Sequence, residues 1–279
     1  MSKEYTKASV PELVDLKITD YCDKGCNFCY QGSTNKGKHA NIDVIKSIIT
    51  ELAEHQVFEI AIGGGEPTTH PNFLEILQFA NEKHIVPNFT SRSFDWIRKG
   101  YHKDIMPLVG KVGFSIDDNE GQLEDLAAWT RVTDIQGKFV AHVVLGVTGK
   151  NAFNRIINSL KHHHMSVLFL DFKDVGRGPQ FKATKYSYQE YDWFPEALKE
   201  IHDNPRLTVG IDTPLAKRFE KELRDMGISN TYFSVEEGKF SCYIDAVNQT
   251  IARSSYETED AVALGSVRKG GWIDIYRGF

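Results

Sequence analysis

The chain reads as an α/β protein built on parallel strands, and three observations predict this. From residue 13 to 175, six stretches with strand character alternate with stretches of helical character. The links between them are of ordinary length, which implies right-handed helical crossovers between parallel strands. The sixth strand, Val167-Leu168-Phe169-Leu170, is a continuous apolar run of the kind buried on both faces. Such repetition builds either a barrel or an open, doubly wound sheet, and both place their sites on loops at the strands' C-terminal ends.

The elements follow in order. Apolar and polar residues begin to alternate over Leu13–Ile18, a first strand. A cysteine-containing loop follows, with polar residues on to His39. Asn41 can then cap a helix whose Ile42, Ile45, Ile48, Ile49 and Leu52 share one face. Val57–Ile62 is the second strand and ends in Gly63-Gly64-Gly65-Glu66-Pro67. A helix capped near Asn72 carries Phe73, Ile76, Leu77 and Ala80. Next come strand Val86–Thr90 with a helix over Phe94–Leu108, strand Lys111–Ile116 with a helix over Leu123–Thr130, and strand Phe139–Val147. The helix after that carries Phe153, Ile156, Ile157 and Leu160. Beyond residue 175 the character changes: Gly176-Arg177-Gly178-Pro179 is a loop signal, and Asp212-Thr213-Pro214 is a second break. Between them lie a helix over Tyr191–His202 and a short strand Leu207–Ile211. A helix with Leu215, Phe219, Leu223 and Met226 follows. Short alternating stretches over Lys239–Ala246 and Gln249–Arg253 then suggest a hairpin and a last turn or helix.

Composition narrows the class. The 279 residues are 41% apolar, enough for a sizeable core, and the net charge of −5 gives no footprint for nucleic acid or anionic membrane. The N-terminus lacks the apolar stretch of a secretion signal, and no run of about 18 apolar residues exists to span a membrane. Four cysteines, three of them clustered, make no disulfide framework. Reduced thiols point to a soluble, cytoplasmic protein.

The clustered cysteines carry the chemistry. Cys22, Cys26 and Cys29 are spaced C-x3-C-x2-C, and a compact loop can turn three thiolates toward one metal or iron–sulfur centre. Structural zinc takes four protein ligands, so a zinc site here requires a distant fourth such as His39 or His70. Three ligands leave one position open. The glycines before Glu66 let the backbone approach a ligand closely or simply turn ahead of the next helix, and Glu66 supplies an acceptor for an ammonium group.

The cysteine spacing, with Phe28 just before the third cysteine, resembles the cluster loop of the radical S-adenosylmethionine (SAM) enzymes. Gly63–Pro67 resembles that family's Gly-Gly-Glu-Pro segment, and Phe114-Ser115-Ile116-Asp117 the Ser-x-Asp pattern of its peptide-modifying subgroup. At Thr90-Ser91-Arg92 the chain departs from the subgroup's Thr-Asn-Gly. The resemblance implies a partial (β/α)6 TIM-like barrel over 1–180, with Cys22, Cys26 and Cys29 holding one [4Fe–4S] cluster and SAM chelating its fourth iron. Phe28 would pack by the adenine. Gly64, Gly65 and Glu66 would hold the methionyl amino group, and Thr90, Ser115 and Asp117 the ribose or carboxylate. Reduction would cleave SAM to a 5′-deoxyadenosyl radical, with flavodoxin or ferredoxin as electron donor. The substrate would be a peptide or peptidyl side chain, with a small molecule, nucleotide or nucleic-acid base as alternatives. A non-catalytic zinc or iron–sulfur module is the rival of another class.

Residues 181–279 would form C-terminal helices and a small α+β extension. Ser241–Asp245 through Ser254-Ser255, then Leu264–Val267, resembles the start of the SPASM/twitch extension. Ser254 and Ser255 stand where that extension carries cysteine, so the element is expected without its auxiliary cluster. Cys242 is then either a hydrogen-atom donor to a substrate radical or a buried packing residue. His142, Asp171 and Lys173 lie on strands five and six, where charge requires a partner or ligand. The run His162–His164 ends a helix, where it complements the dipole.

Overall fold

The fold is that of a computed structural model, described over residues 7–117, 120–130, 137–163, 165–184, 188–203, 207–229, 232–264 and 271–279. The chain-order elements are β1 (Leu13–Thr19), α1 (Ile42–Glu54), β2 (Glu59–Gly64), a 3-10 turn (Pro67–Thr69), α2 (Phe73–Glu82) and β3 (Val86–Ser91). They continue with α3 (Asp95–Arg98), α4 (His102–Ile105), β4 (Val112–Ile116), α5 (Glu120–Thr130), β5 (Phe139–Val144), α6 (Lys150–His163) and β6 (Ser166–Leu170). Then follow α7 (Gly178–Ala183), α8 (Phe194–Asp203), β7 (Val209–Ile211), α9 (Thr213–Arg218) and α10 (Glu220–Asp225). The last are β8 (Ser241–Asp245), β9 (Thr250–Ala252), β10 (Val262–Ala263) and α11 (Gly271–Gly278). The α/β class with a parallel sheet stands.

The chain divides into two compact units, Met1–Lys111 with Glu237–Phe279, and Val112–Glu236. In the first, β1, β2 and β3 pair in parallel in chain order. On the other side of β1 lies β8, also parallel, followed by the antiparallel hairpin partner β9 and then β10. Cys242 and Ile244 extend the apolar row of Val14 and Leu16, which is why this late strand completes the sheet of an early one. The α1 face of Ile45, Ile48, Ile49 and Leu52 is buried, each side chain contributing about 1.5–3 kcal/mol. Asn41 Oδ1 accepts from the Asp43 amide at 2.8 Å, the expected cap. Asn72 makes no side-chain cap bond and instead donates to Glu75. The helix expected over 94–108 is two single turns, α3 and α4, because Gly100 adopts φ +83° between them.

In the second unit β4, β5, β6 and β7 pair in parallel, again in chain order. Phe153, Phe169 and Phe194 stack edge-on or tilted with centroids 5.1–6.1 Å apart and fill the layer between α6, β6 and α8. The helix expected to carry Leu215 through Met226 breaks at Phe219, which leaves helical geometry (φ −114°, ψ 28°) between α9 and α10.

Candidate functional site

The cysteine loop leaves β1 at its C-terminal end and is held at both edges by backbone bonds. Asp20 N donates to Lys38 O at 2.8 Å and Cys22 N to Thr34 O at 2.9 Å. Within the loop Cys29 N reaches Cys26 O at 3.3 Å and Gly32 N reaches Cys29 O at 3.1 Å. All three thiols are half-buried and reduced. Burial pushes the Cys22 thiol up, a bond from the Lys24 backbone draws it down, and the charges of Glu66, Cys26 and Cys29 add to the rise. The thiols therefore sit within electrostatic reach of one another. Among the described residues no three His, Cys, Asp or Glu side chains converge as a ready-made ion site, so ligation requires the thiols to turn inward.

The glycine segment is stitched to this loop. Gly65 N donates to Thr19 O at 2.7 Å and Glu66 N to Tyr21 O at 2.8 Å. A Cβ on Gly65 would stand 2.0 Å from Tyr21 O, and one on Gly64, at φ +121°, 2.2 Å from Thr19 O. These two positions need glycine because one backbone crosses another there. A Cβ on Gly63 would meet nothing within 4 Å, so that position is open.

Glu66 is 2% exposed, and its carboxylate is already held by the chain. Thr68 Oγ1 donates at 2.6 Å, Ser91 Oγ at 2.7 Å and Arg92 N at 2.9 Å. Burial raises the Glu66 pKa while these bonds pull the other way. Ser91, not its neighbour Thr90, makes the contact, because strand alternation sends the two to opposite faces. Thr90 is half-buried on the other face. Phe28 is half-buried, with the Arg92 guanidinium 5.7 Å from its ring centroid.

Neither histidine considered for a fourth zinc ligand is idle. His70 Nδ1 accepts from Asn72 N at 3.1 Å, which leaves Nε2 to donate to Ala40 O at 3.0 Å, so both ring nitrogens are committed. His39 Nδ1 lies 2.9 Å from Thr19 Oγ1, and burial lowers its pKa.

Two groups near the loop were not legible as site residues. Lys17, 6% exposed on β1, bonds Asp245 Oδ2 at 3.0 Å and Asp20 Oδ1 at 2.5 Å. Burial alone would lower its pKa, but these bonds outweigh it and raise the group. Ser255, beyond β9, bonds Tyr30 and Gln31 of the cysteine loop. The available signal was the same-face alternation of Asp15 and Lys17 on one strand and Tyr243 and Asp245 on the other.

Cys242 is 1% exposed and is the register partner of Val14, on the sheet face opposite Asp245. Burial pushes its thiol well above the usual range. In the second unit Ser115, His142 and Leu168 form one cross-strand row. Gln122 spans the end of β4, donating to Ser115 O at 3.4 Å and accepting from Asp117 N at 3.1 Å. Lys173 lies 4.0 Å from Asp212 Oδ2, and the Tyr191 hydroxyl donates to Asp171. His164, the His163 side chain and Gly265–Val267 lie outside the described residues.

A parallel α/β core with a three-thiol loop at the end of its first strand, braced by a glycine segment at the end of its second, defines a class that binds a metal cluster with an open position. Residues 16–127 match the Radical SAM superfamily. Members of that superfamily use a [4Fe–4S] cluster and SAM. The chain is similar to GTP 3′,8-cyclase of Pasteurella multocida, 25% identical over 225 residues that cover 78% of this chain and 55% of that one. It is 33% identical to the mycofactocin maturase MftC of Mycobacterium tuberculosis over 82 residues, 29% of this chain and 21% of that one. The chain thus spans about half, or less, of these relatives' length. Its fold is that of Streptococcus suis SuiB, solved bound to the precursor peptide SuiA, with TM-score 0.68, 13% identity, 97% of this chain and 65% of that one covered. The donor set fits the cluster: three thiols from one loop, the nearby histidine His70 fully committed, and one coordination position left over. No helix among the described residues is long and apolar enough to cross a membrane.

Proposed function

We propose that the chain is a radical SAM enzyme acting on a peptide or peptidyl side chain. The observation that carries this is the three half-buried thiols on a loop whose first residues are hydrogen-bonded to Gly65 and Glu66. When bound, the cluster and SAM supply reductive cleavage of SAM to a 5′-deoxyadenosyl radical, which takes hydrogen from a substrate C–H bond. The chain's own residues hold and orient. Cys22, Cys26 and Cys29 are the cluster ligands. The open edge at Gly63, with the Gly64 and Gly65 backbone and the fixed Glu66 carboxylate, receives the ammonium end of SAM. Phe28 offers a ring for the adenine, and Thr90 a hydroxyl on the face away from the helix-packed Phe89. In the second unit Ser115 and Asp117 are the candidate hydrogen-bonding groups.

The peptide is supported by the likeness to SuiB, solved with a precursor peptide, and by the β8–β9 hairpin at the place of the SPASM-like tail. A nucleotide is the second reading, favoured by the long stretch shared with GTP 3′,8-cyclase. The placement of Cys242 supports packing rather than hydrogen donation, since a donor must reach the substrate radical.

Anaerobic reconstitution tests the reading. It should yield about four irons and four sulfides per chain, and 5′-deoxyadenosine from SAM with a strong reductant. A colourless zinc protein that never cleaves SAM sinks it. A peptide encoded beside this gene, or GTP, should then raise 5′-deoxyadenosine formation and gain a product of changed mass; which one does decides between the substrates.

A further inference from the structure

The cysteine loop is held locally by short-range backbone bonds. Among the described residues its backbone bonds at Asp20, Tyr21, Cys22, Lys24, Cys29 and Gly32, and Tyr21 O accepts from Glu66 N. Two side-chain anchors reach it from more than 200 positions away in the chain. At its start, Asp20 Oδ1 lies 2.5 Å from Lys17 Nζ, and Lys17 is held at 3.0 Å by Asp245 at the end of β8. Asp245 is fixed in turn by the amides of Val247 and Asn248 at 2.9 and 3.0 Å and by Asn248 Nδ2 at 2.8 Å. At the loop's end, Ser255 Oγ donates to the Tyr30 hydroxyl at 3.2 Å, and Gln31 Nε2 donates to Ser255 O at 3.3 Å. Tyr243, on the same sheet face as Asp245, donates its hydroxyl to Gln31 Oε1 at 3.5 Å. These anchors bracket all three cysteines.

We propose that the C-terminal segment from Ser241 to Ser255 is a clasp that positions the cluster loop, with Asp245 acting through Lys17 on Asp20 and Ser255 acting on Tyr30 and Gln31. The inference rests on the cluster reading for its consequence but not for its geometry. Asp245 and Ser255 are positioning residues: they act on the loop through Lys17, Tyr30 and Gln31. Ser255, standing where the family resemblance anticipates a cysteine, supplies a hydroxyl that bonds the loop. The tail thus retains a task without an auxiliary cluster. A loop fixed at both ends loses little further freedom when its thiols turn inward, so the clasp favours cluster assembly and sets the ligand geometry.

The experiment is hydrogen–deuterium exchange on the cluster-free full chain, followed by electron paramagnetic resonance of the reduced, reconstituted protein. Asp245→Asn and the milder Ser255→Ala are compared with wild type. Exchange of the amides in residues 20–34 should quicken about tenfold in Asp245→Asn, the effect of weakening one charge-assisted bond on a local opening. It should quicken less in Ser255→Ala, with β2 and β3 unchanged in both. The resonance of the reduced cluster should broaden or shift in each variant. Asp245→Glu should restore part of the protection. Exchange at 20–34 equal to wild type in both variants, or rising uniformly through the first unit, overturns the proposal. If wild type assembles no cluster, the functional reading fails while the exchange result still decides the clasp.

Discussion

The two units repeat the same strand–helix pattern but treat the polar residues of their sheets differently. In the first unit, polar side chains are bonded to each other across strands: Lys17 to Asp245, and Asn88 Nδ2 to Glu59 Oε2 at 2.8 Å. In the second, His142 is kept neutral, its pKa lowered to about 4 by burial and then by the charge of Lys173. Asp212 Oδ2 is buried there without a hydrogen bond, 4.0 Å from Lys173. One unit has closed its polar groups into ties that shape a loop. The other holds a histidine neutral by burial and sets Asp212 Oδ2 across from Lys173 at 4.0 Å.

The largest effect belongs to the first unit's loop. Replacing Cys22, Cys26 and Cys29 together by alanine should remove the iron and all 5′-deoxyadenosine formation, read by iron assay and chromatography. Fold stability should change little, because the thiols are half-buried and lie outside the core. A large loss of stability would mean that the loop is itself core, and the contrast with the second unit would fail.

Next comes the tie beneath the loop. Lys17→Met leaves Asp245 and Asp20 facing one another without their cation and should cost about 3–5 kcal/mol in chemical denaturation. Lys17→Met with Asp245→Leu should recover most of it, since an apolar pair replaces a buried ion pair without strain. The sign of the pH dependence follows from the raised pKa. The Lys17 contribution is fully present below its ordinary 10.5 and is lost only as pH rises through the higher folded value. The tie therefore holds throughout the neutral range.

How much of this was legible in the sequence depends on the distance over which each feature acts. The helices with Ile45–Leu52 and Phe73–Ala80 announced themselves because their spacing is local. The cysteine loop and Gly63–Pro67 did so because each is one contiguous motif. Gly100 was present in the sequence, but helical spacing on both sides concealed its break between α3 and α4. Pairing of β8 with β1, and with it Lys17–Asp245 and Ser255–Tyr30, joins residues more than 200 positions apart; nothing local encodes it. Gly64 and Gly65 were legible as needed, yet the crossing with Thr19 and Tyr21 that needs them required the backbone path.

That crossing supplies the next prediction. Gly65→Ala puts a Cβ 2.0 Å from Tyr21 O, a backbone atom that no rotamer change can move. The loop must shift, at a cost of about 1–3 kcal/mol, and reconstituted iron should fall in step. Gly63→Ala, in open space, should leave both stability and iron content near wild type and should act, if at all, on SAM affinity. Equal behaviour of the two variants would dissolve the distinction between crossing and open glycines. Cys242→Ala separates the two faces of β8 in the same way. It should lower stability by about 1–3 kcal/mol through lost packing and leave 5′-deoxyadenosine and product formation intact. Loss of product with SAM cleavage preserved would restore the hydrogen-donor role.

The smallest effect at neutral pH, and the one that probes the second unit alone, is at His142. Its ring leans over Gly113, where a Cβ would stand 2.3 Å from Cε1, so β4 has no side chain at the position the imidazole covers. A base whose folded pKa is about 4 against an ordinary 6.5 is held neutral by the fold. Between those values the unfolded chain binds more protons than the folded one. Stability should therefore fall as pH drops from 6.5 toward 4, while above 6.5 the residue adds no slope. Carboxylates titrate in the same window, so the measurement is the difference between wild type and His142→Gln in denaturation curves from pH 4 to 8. That difference should be constant above 6.5 and narrow steadily below it as wild type loses its advantage. A ligand that hydrogen-bonds the neutral ring would lower the folded pKa further and carry the same fall to lower pH. A difference that stays flat to pH 4 would mean the imidazole is not sheltered by the second unit.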